Sequence, residues 1–306
     1  MPGTKRKSFF GGLWTITKAT TTDWWKADPF RQSAVVAYYA VFSIPALLVI
    51  VIAVAGLFFG EEAVQGQISE QIKGALGNDT AESIEGIIAK VSEEKTSIIA
   101  TIIGIITLIV GSTGVFTELQ TSLNQIWEVK VVAKRKWLKT IKTRLFSLGL
   151  VLSLGFLMLI SLLLTTGLEA LSGMIKANLP DFIPFVLKTV NFIMTFGVIT
   201  VLFALIFKIL PDAKIRLRDV WIGAMVTSLL FILGKFGLGI YFAKANPASA
   251  YGAAGSIVLV MLWVSYSCMI LFFGAEFTKQ YATFHGHEIQ PTAESQIIEQ
   301  PDPKAV

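Results

Sequence analysis

Reading the chain from one charged residue to the next leaves six apolar stretches. They run over 32–60, 96–117, 145–168, 189–207, 220–243 and 245–275, and only Lys235 interrupts the fifth. Crossing the hydrocarbon core of a bilayer takes about 20 apolar residues in a helix, a length each stretch meets or approaches. Lipid offers no partner for backbone N–H and C=O groups, so a span must be a helix or part of a closed barrel, and the alternating pattern of barrel strands is absent. The pattern predicts an all-α, polytopic membrane protein with six transmembrane helices over 32–283. An N-terminal arm, 1–31, precedes them and a tail, 284–306, follows.

Between the first two spans the period changes. Val64, Ile68, Ile72 and Leu76 recur every four residues and Gly77 supplies a stop. Asp79 with Glu82 resembles a capping box ahead of Ile84, Ile87, Ile88 and Val91, so 61–95 reads as a pair of amphipathic helices. In the arm, Phe9, Phe10, Leu13, Trp14, Trp24 and Trp25 alternate with Lys18 and Lys26, which suits an interfacial segment with an aromatic belt. The tail loses apolar periodicity and carries Pro291, Pro301 and Pro303, a composition that predicts disorder.

Composition agrees with this layout. Of 306 residues, 54% are apolar and 15% charged, whereas a soluble domain carries about 25% charge to wet its surface. An ordinary water-soluble enzyme, a disordered chain and a disulfide scaffold are excluded, the last because Cys268 is the single cysteine. The first apolar run is too long and starts too late for a cleaved signal peptide.

Where the charges lie gives an orientation. The arm holds Lys5, Arg6, Lys7, Lys18, Lys26 and Arg31. The loop after the second span holds Lys130, Lys134, Arg135, Lys136, Lys139, Lys142 and Arg144, and the loop after the fourth holds Lys208, Lys214, Arg216 and Arg218. All three fall on one side of a six-span layout. The segment 61–95 has eight acids against Lys73, Lys90 and Lys95, so the positive-inside rule places both termini in the cytoplasm and the amphipathic pair on the outer face. Anionic lipid head groups are the expected partner of the basic loops, rather than nucleic acid, and a homo-oligomer stays open.

No Asp or Glu lies in the middle of a span, which disfavours coupling to protons or cations through an intramembrane carboxylate. Lys235 stands sixteen residues after Asp219, a rise of roughly 24 Å, near the outer leaflet. There it either snorkels to the interface or meets an anionic group. In the sixth span Ser256, Trp263, Ser267 and Gly274 share a face, and the approach through Tyr251, Gly252 and Gly255 is rich in small residues. Pro45 should kink the first span after Tyr38 and Ser43, and Gly111, Ser112, Thr113 and Gly114 continue toward Glu118 as a polar face. Each feature suits either a cavity lining or close interhelical packing. Phosphate-binding glycine loops, metal-spaced clusters and nucleophile–base constellations are absent, so no enzyme activity, cofactor, metal or catalytic residue is expected.

Ala37-Tyr38-Tyr39-Ala40-Val41-Phe42-Ser43-Ile44-Pro45, Leu123-Asn124-Gln125-Ile126-Trp127, Leu210-Pro211 with Arg216 and Arg218 before Gly223-Ala224, Lys235 with Tyr241, and Tyr251-Gly252-Ala253-Ala254-Gly255-Ser256 through Trp263, Tyr266 and Gly274-Ala275-Glu276 together resemble the YihY/virulence factor BrkB family. The resemblance extends over about 30–283 and implies a six-span protein of the bacterial plasma (inner) membrane. Members once carried a ribonuclease BN label, and others are linked to serum resistance or to export of lipid A precursors. The candidate cavity or transport residues are Lys235, Tyr241, Tyr251, Gly252, Gly255, Ser256, Trp263, Tyr38, Ser43 and Pro45, with Glu118, Glu276 and Arg218 as polar groups at the cytoplasmic ends. The expected function is a transporter, exporter or flippase for an amphiphilic or lipid-like solute. The alternative is a structural or assembly protein without transport. A membrane-bound ribonuclease would require Glu118, Glu276, Asp212 and Asp219 to converge.

Overall fold

The computed structural model describes residues 9–43, 65, 66, 68–70, 73, 98–131, 182–245, 247, 251, 254–292 and 295–297. Helix α1 is Phe9–Lys26 and α2 runs over 29–43. Next come α3 (Ile98–Ile126), strand β1 (Val129–Val131), α4 (Phe182–Ile209), β2 (Ala213–Lys214), α5 (Leu217–Ala245), α6 (Gly255–Phe284), β3 (Gln290–Pro291) and β4 (Ser295–Ile297). The described part is thus mostly helical. Among the described residues, three helices are long and apolar enough to cross a membrane, over Thr189–Ile209, Leu217–Phe242 and Gly255–Phe284, and these overlap the fourth to sixth predicted spans. Helix α3 carries the second from 98 onward, and α2 begins the first. Residues 44–60 with Pro45, the third span at 145–168, and Gly252 lie outside the described residues. So does most of 61–95, of which 65, 66, 68–70 and 73 are helical.

The helix ends follow from local chemistry. Asp28 takes a left-handed φ of 54° and breaks α1 from α2, and buried Pro29 opens α2, where its missing N–H costs nothing. Glu128, with φ of 57°, turns the chain from α3 into β1. Gly286, with φ of 71°, follows α6, and beside it the His287 N–H returns to the Ala282 carbonyl at 2.9 Å, the glycine-based stop of many helices.

Burial is distributed as a membrane requires. On α5 the residues Leu217, Trp221, Met225, Leu229, Leu233, Phe236 and Ile240 recur every three or four positions and are all 40–73% exposed. From first to last they span roughly 34 Å at about 1.5 Å per residue, comparable with the ~30 Å hydrocarbon core. The inward side of the helices carries hydroxyls instead: Thr200, Thr227, Ser228 and Thr278 are buried and each bonds the carbonyl four residues back at 2.7–2.8 Å. That bond satisfies the hydroxyl within its own helix.

Helix α5 packs between α4 and α6, while α1 and α3 lie against α6. Close approach depends on glycine. Gly223-Ala224-Met225-Val226-Thr227 of α5 and Gly274-Ala275-Glu276-Phe277-Thr278 of α6 share a Gly-Ala-x-x-Thr pattern, and each threonine sits on the other helix's glycine, where a Cβ would overlap it. Likewise a Cβ on Gly111 would meet Ser43 at 3.1 Å, and one on Gly114 would overlap the Tyr39 ring, which seats α2 on α3.

The apolar core gathers at one end. Val36, Ala37 and Ala40 meet Leu119, Leu123 and Trp127, Phe203 and Phe207, Val220 and Ala224, and Phe272 and Ala275 there. This end also carries Lys130, Lys208, Lys214, Arg216 and Arg218. The tail, predicted to be disordered, folds back over it through Gln290–Pro291 and Ser295–Ile297: β4 pairs antiparallel with β1, and β3 with β2. Partners waiting on two loops offset the low hydrophobicity of the segment. Residues 298–306 lie outside the described residues.

Candidate functional site

At the basic end the polar side chains form two clusters. Asp212, in the turn after α4, is held by Asn124 of α3 through a reciprocal pair: Asn124 Nδ2 donates to Asp212 Oδ2 at 2.9 Å and the Asp212 N–H donates to Asn124 Oδ1 at 2.8 Å. Gln120 Nε2 adds a bond to the same carboxylate oxygen at 3.2 Å. The Asp212 carbonyl accepts from Ser295 Oγ at 2.7 Å and from the Thr292 N–H at 3.0 Å. Beside it, Asp219 is 1% exposed in the first turn of α5, where the helix dipole favours a carboxylate, and His287 Nδ1 stands 2.8 Å from its Oδ2.

The second cluster is on α6. Glu276 is 2% exposed, takes a bond from Gln280 Nε2 at 2.9 Å and lies 3.7 Å from Lys279. Lys279 Nζ also reaches Glu128 at 2.9 Å. Gln280 Nε2 bonds Asp23 of α1 at 3.0 Å. Trp127 Nε1 donates to the Ala275 carbonyl and Trp24 Nε1 to the Met269 carbonyl, both at 3.2 Å. Desolvating a carboxylate is tolerable only with such compensation, so Glu276 is bound into the join of α1, α3 and α6. Glu118 is half-buried and Arg218 exposed, and neither bonds another described residue.

The predicted cavity residues are not brought together. Lys235 and Tyr241 are on exposed positions of α5, Lys235 between Leu233 and Phe236 and without a bond to any described residue. Tyr251 is exposed, Gly255 buried and Ser256 half-buried at the start of α6. Trp263 ends an aromatic series that runs from Trp127 through Phe207, Phe203 and Phe231, with ring centroids 5.7–6.3 Å apart. Tyr38 is exposed and its ring meets Tyr39 and Phe42, whereas Ser43 is buried against Gly111 and bonds the Ala40 carbonyl at 3.3 Å. A described surface depression of about 390 Å³ lies elsewhere, at the basic end, lined by Lys214, Ile215, Arg216, Gly286, Glu288 and Gln290.

Asn124, His287, Lys279 and Ser295 are absent from the sequence-based candidates. Asn124 adjoins a span, which marks it as a polar group needing a partner, but its partner lies 88 positions away. Of the four acids a nuclease would gather, Asp212, Asp219 and Glu276 are each engaged by different residues.

The chain matches the virulence factor BrkB family over residues 20–297. It is similar to the UPF0761 membrane protein of Tolumonas auensis, 29% identical over 187 residues, covering 58% of this chain and 56% of that one. It is also similar to that of Pasteurella multocida, 24% identical over 229 residues (72% and 67%), and to that of Pseudoalteromonas atlantica, 26% identical over 254 residues (82% and 81%). The first match thus spans just over half the length of the Tolumonas protein. No solved structure matches the chain. The helices of membrane-crossing length, the lipid-suited face of α5 and the match over residues 20–297 agree: the chain belongs to the BrkB virulence factor family of membrane proteins.

Proposed function

We propose that the protein is a six-span protein of the bacterial plasma membrane, with both termini in the cytoplasm, that moves an amphiphilic, lipid-like solute across the bilayer. The arm 1–31 and the tail after 283 lie inside, and 61–95 lies on the outer face. The basic loops rest against anionic head groups of the inner leaflet. Neither a cofactor nor a metal is called for.

Lys235 carries the reading. A cation within a span is costly even toward its outer end, and α5 keeps one, Lys235, at an exposed position without a bond to any described residue. At that depth its ammonium meets the phosphate of a lipid, not water alone. A spanning region whose middle lacks carboxylates suits a lipid-like cargo better than an ion. The test is native mass spectrometry of the purified protein with anionic and zwitterionic lipids. Lys235→Ala should lose several-fold more anionic than zwitterionic lipid, and Lys235→Arg should retain it. Equal retention by all three proteins removes Lys235 from the mechanism.

A second reading, a structural or assembly protein without transport, draws on the glycine contacts. Ser43, Thr227 and Thr278, polar groups that would suit a cavity wall, are buried against Gly111, Gly274 and Gly223. A lipid-movement assay at the level of liposomes without protein would favour it.

A further inference from the structure

We propose that residues 285–292 with 295–297 form a reversible clasp that holds the basic ends of α3 and α5 together, and that its release lets those ends part. The segment grips both sides. Its β4 pairs with β1, which continues from α3, in the register Val129↔Ile297, Lys130↔Gln296 and Val131↔Ser295. Its β3 pairs with β2, which leads into α5, and His287 holds the buried Asp219 of α5 itself. Between the two grips Ser295 Oγ and the Thr292 N–H both close on the Asp212 carbonyl, directly over the Asn124–Asp212 pair that joins α3 to the turn before α5.

The clasp is built to open. Its strands are two and three residues long, and paired strands of that size are marginal on their own. Glu288, Gln290 and Gln296 are exposed, and Ile289 sets only a partly buried side chain against the core, so a modest apolar surface is given up on release. Polar, weakly buried segments of this kind occupy the low end of local stability. Helices α4 to α6 are joined instead by long apolar contacts and tight glycine seams. The transport reading supplies a use for opening, since a carrier must part the ends of its helices on one side. The clasp itself does not depend on that reading.

Hydrogen exchange on the full-length protein in detergent or liposomes tests it. In His287→Ala, losing a bond to a buried carboxylate should speed exchange of the amides in β1, β2 and β4 about tenfold or more. The last turn of α3 and the first of α5 should follow, with the middles of α4 and α6 unchanged. A second variant, K130C/Q296C, joins two exposed facing residues whose Cα separation in such a ladder, about 4.5–5.5 Å, suits a disulfide. Oxidation should form it and restore slow exchange in the His287→Ala background. Unchanged exchange at the ends of α3 and α5 in His287→Ala, or failure of the disulfide to form, overturns the clasp. If exchange responds as stated while the wild-type protein moves no lipid, the clasp stands and the transport reading falls.

Discussion

Lys279 stands between two carboxylates, Glu128 at 2.9 Å and Glu276 at 3.7 Å, and only 18% of its side chain is exposed. Glu276 is nearly fully buried, so removing its cation leaves a desolvated charge with Gln280 alone to compensate. Lys279→Met should lower stability by about 1–3 kcal/mol, less than for a fully buried pair because Glu128 is partly solvated. Thermal unfolding in detergent checks this, and adding Glu276→Gln should recover part of the loss. A double variant no more stable than Lys279→Met would show that the pair is not coupled. Glu276 was legible in the sequence because a carboxylate that closes an apolar run marks the end of a span. Its surroundings were not, because Glu128, which shares its lysine, lies 151 positions from that lysine and belongs to another loop. Lys235 was legible for the opposite reason: it is the one charge inside a predicted span, and no packing partner is needed to notice it.

At the level of elements, α5 and α6 meet through two Gly-Ala-x-x-Thr segments. Gly223→Ala and Gly274→Ala each place a methyl group where the opposing threonine already sits, and overpacking of this kind costs about 1–3 kcal/mol. Both should lower the thermal midpoint, whereas Gly237→Ala on the same α5, with open space around it, should not. Equal midpoints for the three variants would refute the seam. The helices themselves were readable from apolar run length, since lipid enforces helix over each run. The two short strands within the tail were not legible because strands of two and three residues have no alternation to detect, and their pairing partners, β1 and β2, lie far away in the sequence. Hydroxyls such as Ser43 and Ser267 were ambiguous between cavity and packing for a similar reason: a sequence shows where a hydroxyl lies on a helix but not whether it bonds its own backbone, as Ser43 and Ser267 do.

For the whole molecule, the positive charge of the basic loops and the acidity of 61–95 predict which surfaces face the cytoplasm. Native Cys268 is buried, so single cysteines introduced elsewhere report topology against a quiet background. In intact cells an impermeant thiol reagent should label Glu93→Cys from outside and reach Lys136→Cys and Lys214→Cys only after the membrane is opened. The reverse pattern would invert the molecule, and labelling of all three in intact cells would break the six-span layout. Transport is the claim on which the functional account turns, and it is read most directly in liposomes carrying a fluorescent phospholipid and an impermeant quencher. With the purified protein reconstituted, the quenched fraction should rise beyond the outer leaflet's share, and Lys235→Ala should slow this while Lys235→Arg does not. A quenched fraction that stays at the outer leaflet's share, as in liposomes without protein, across anionic and zwitterionic lipids would contradict it.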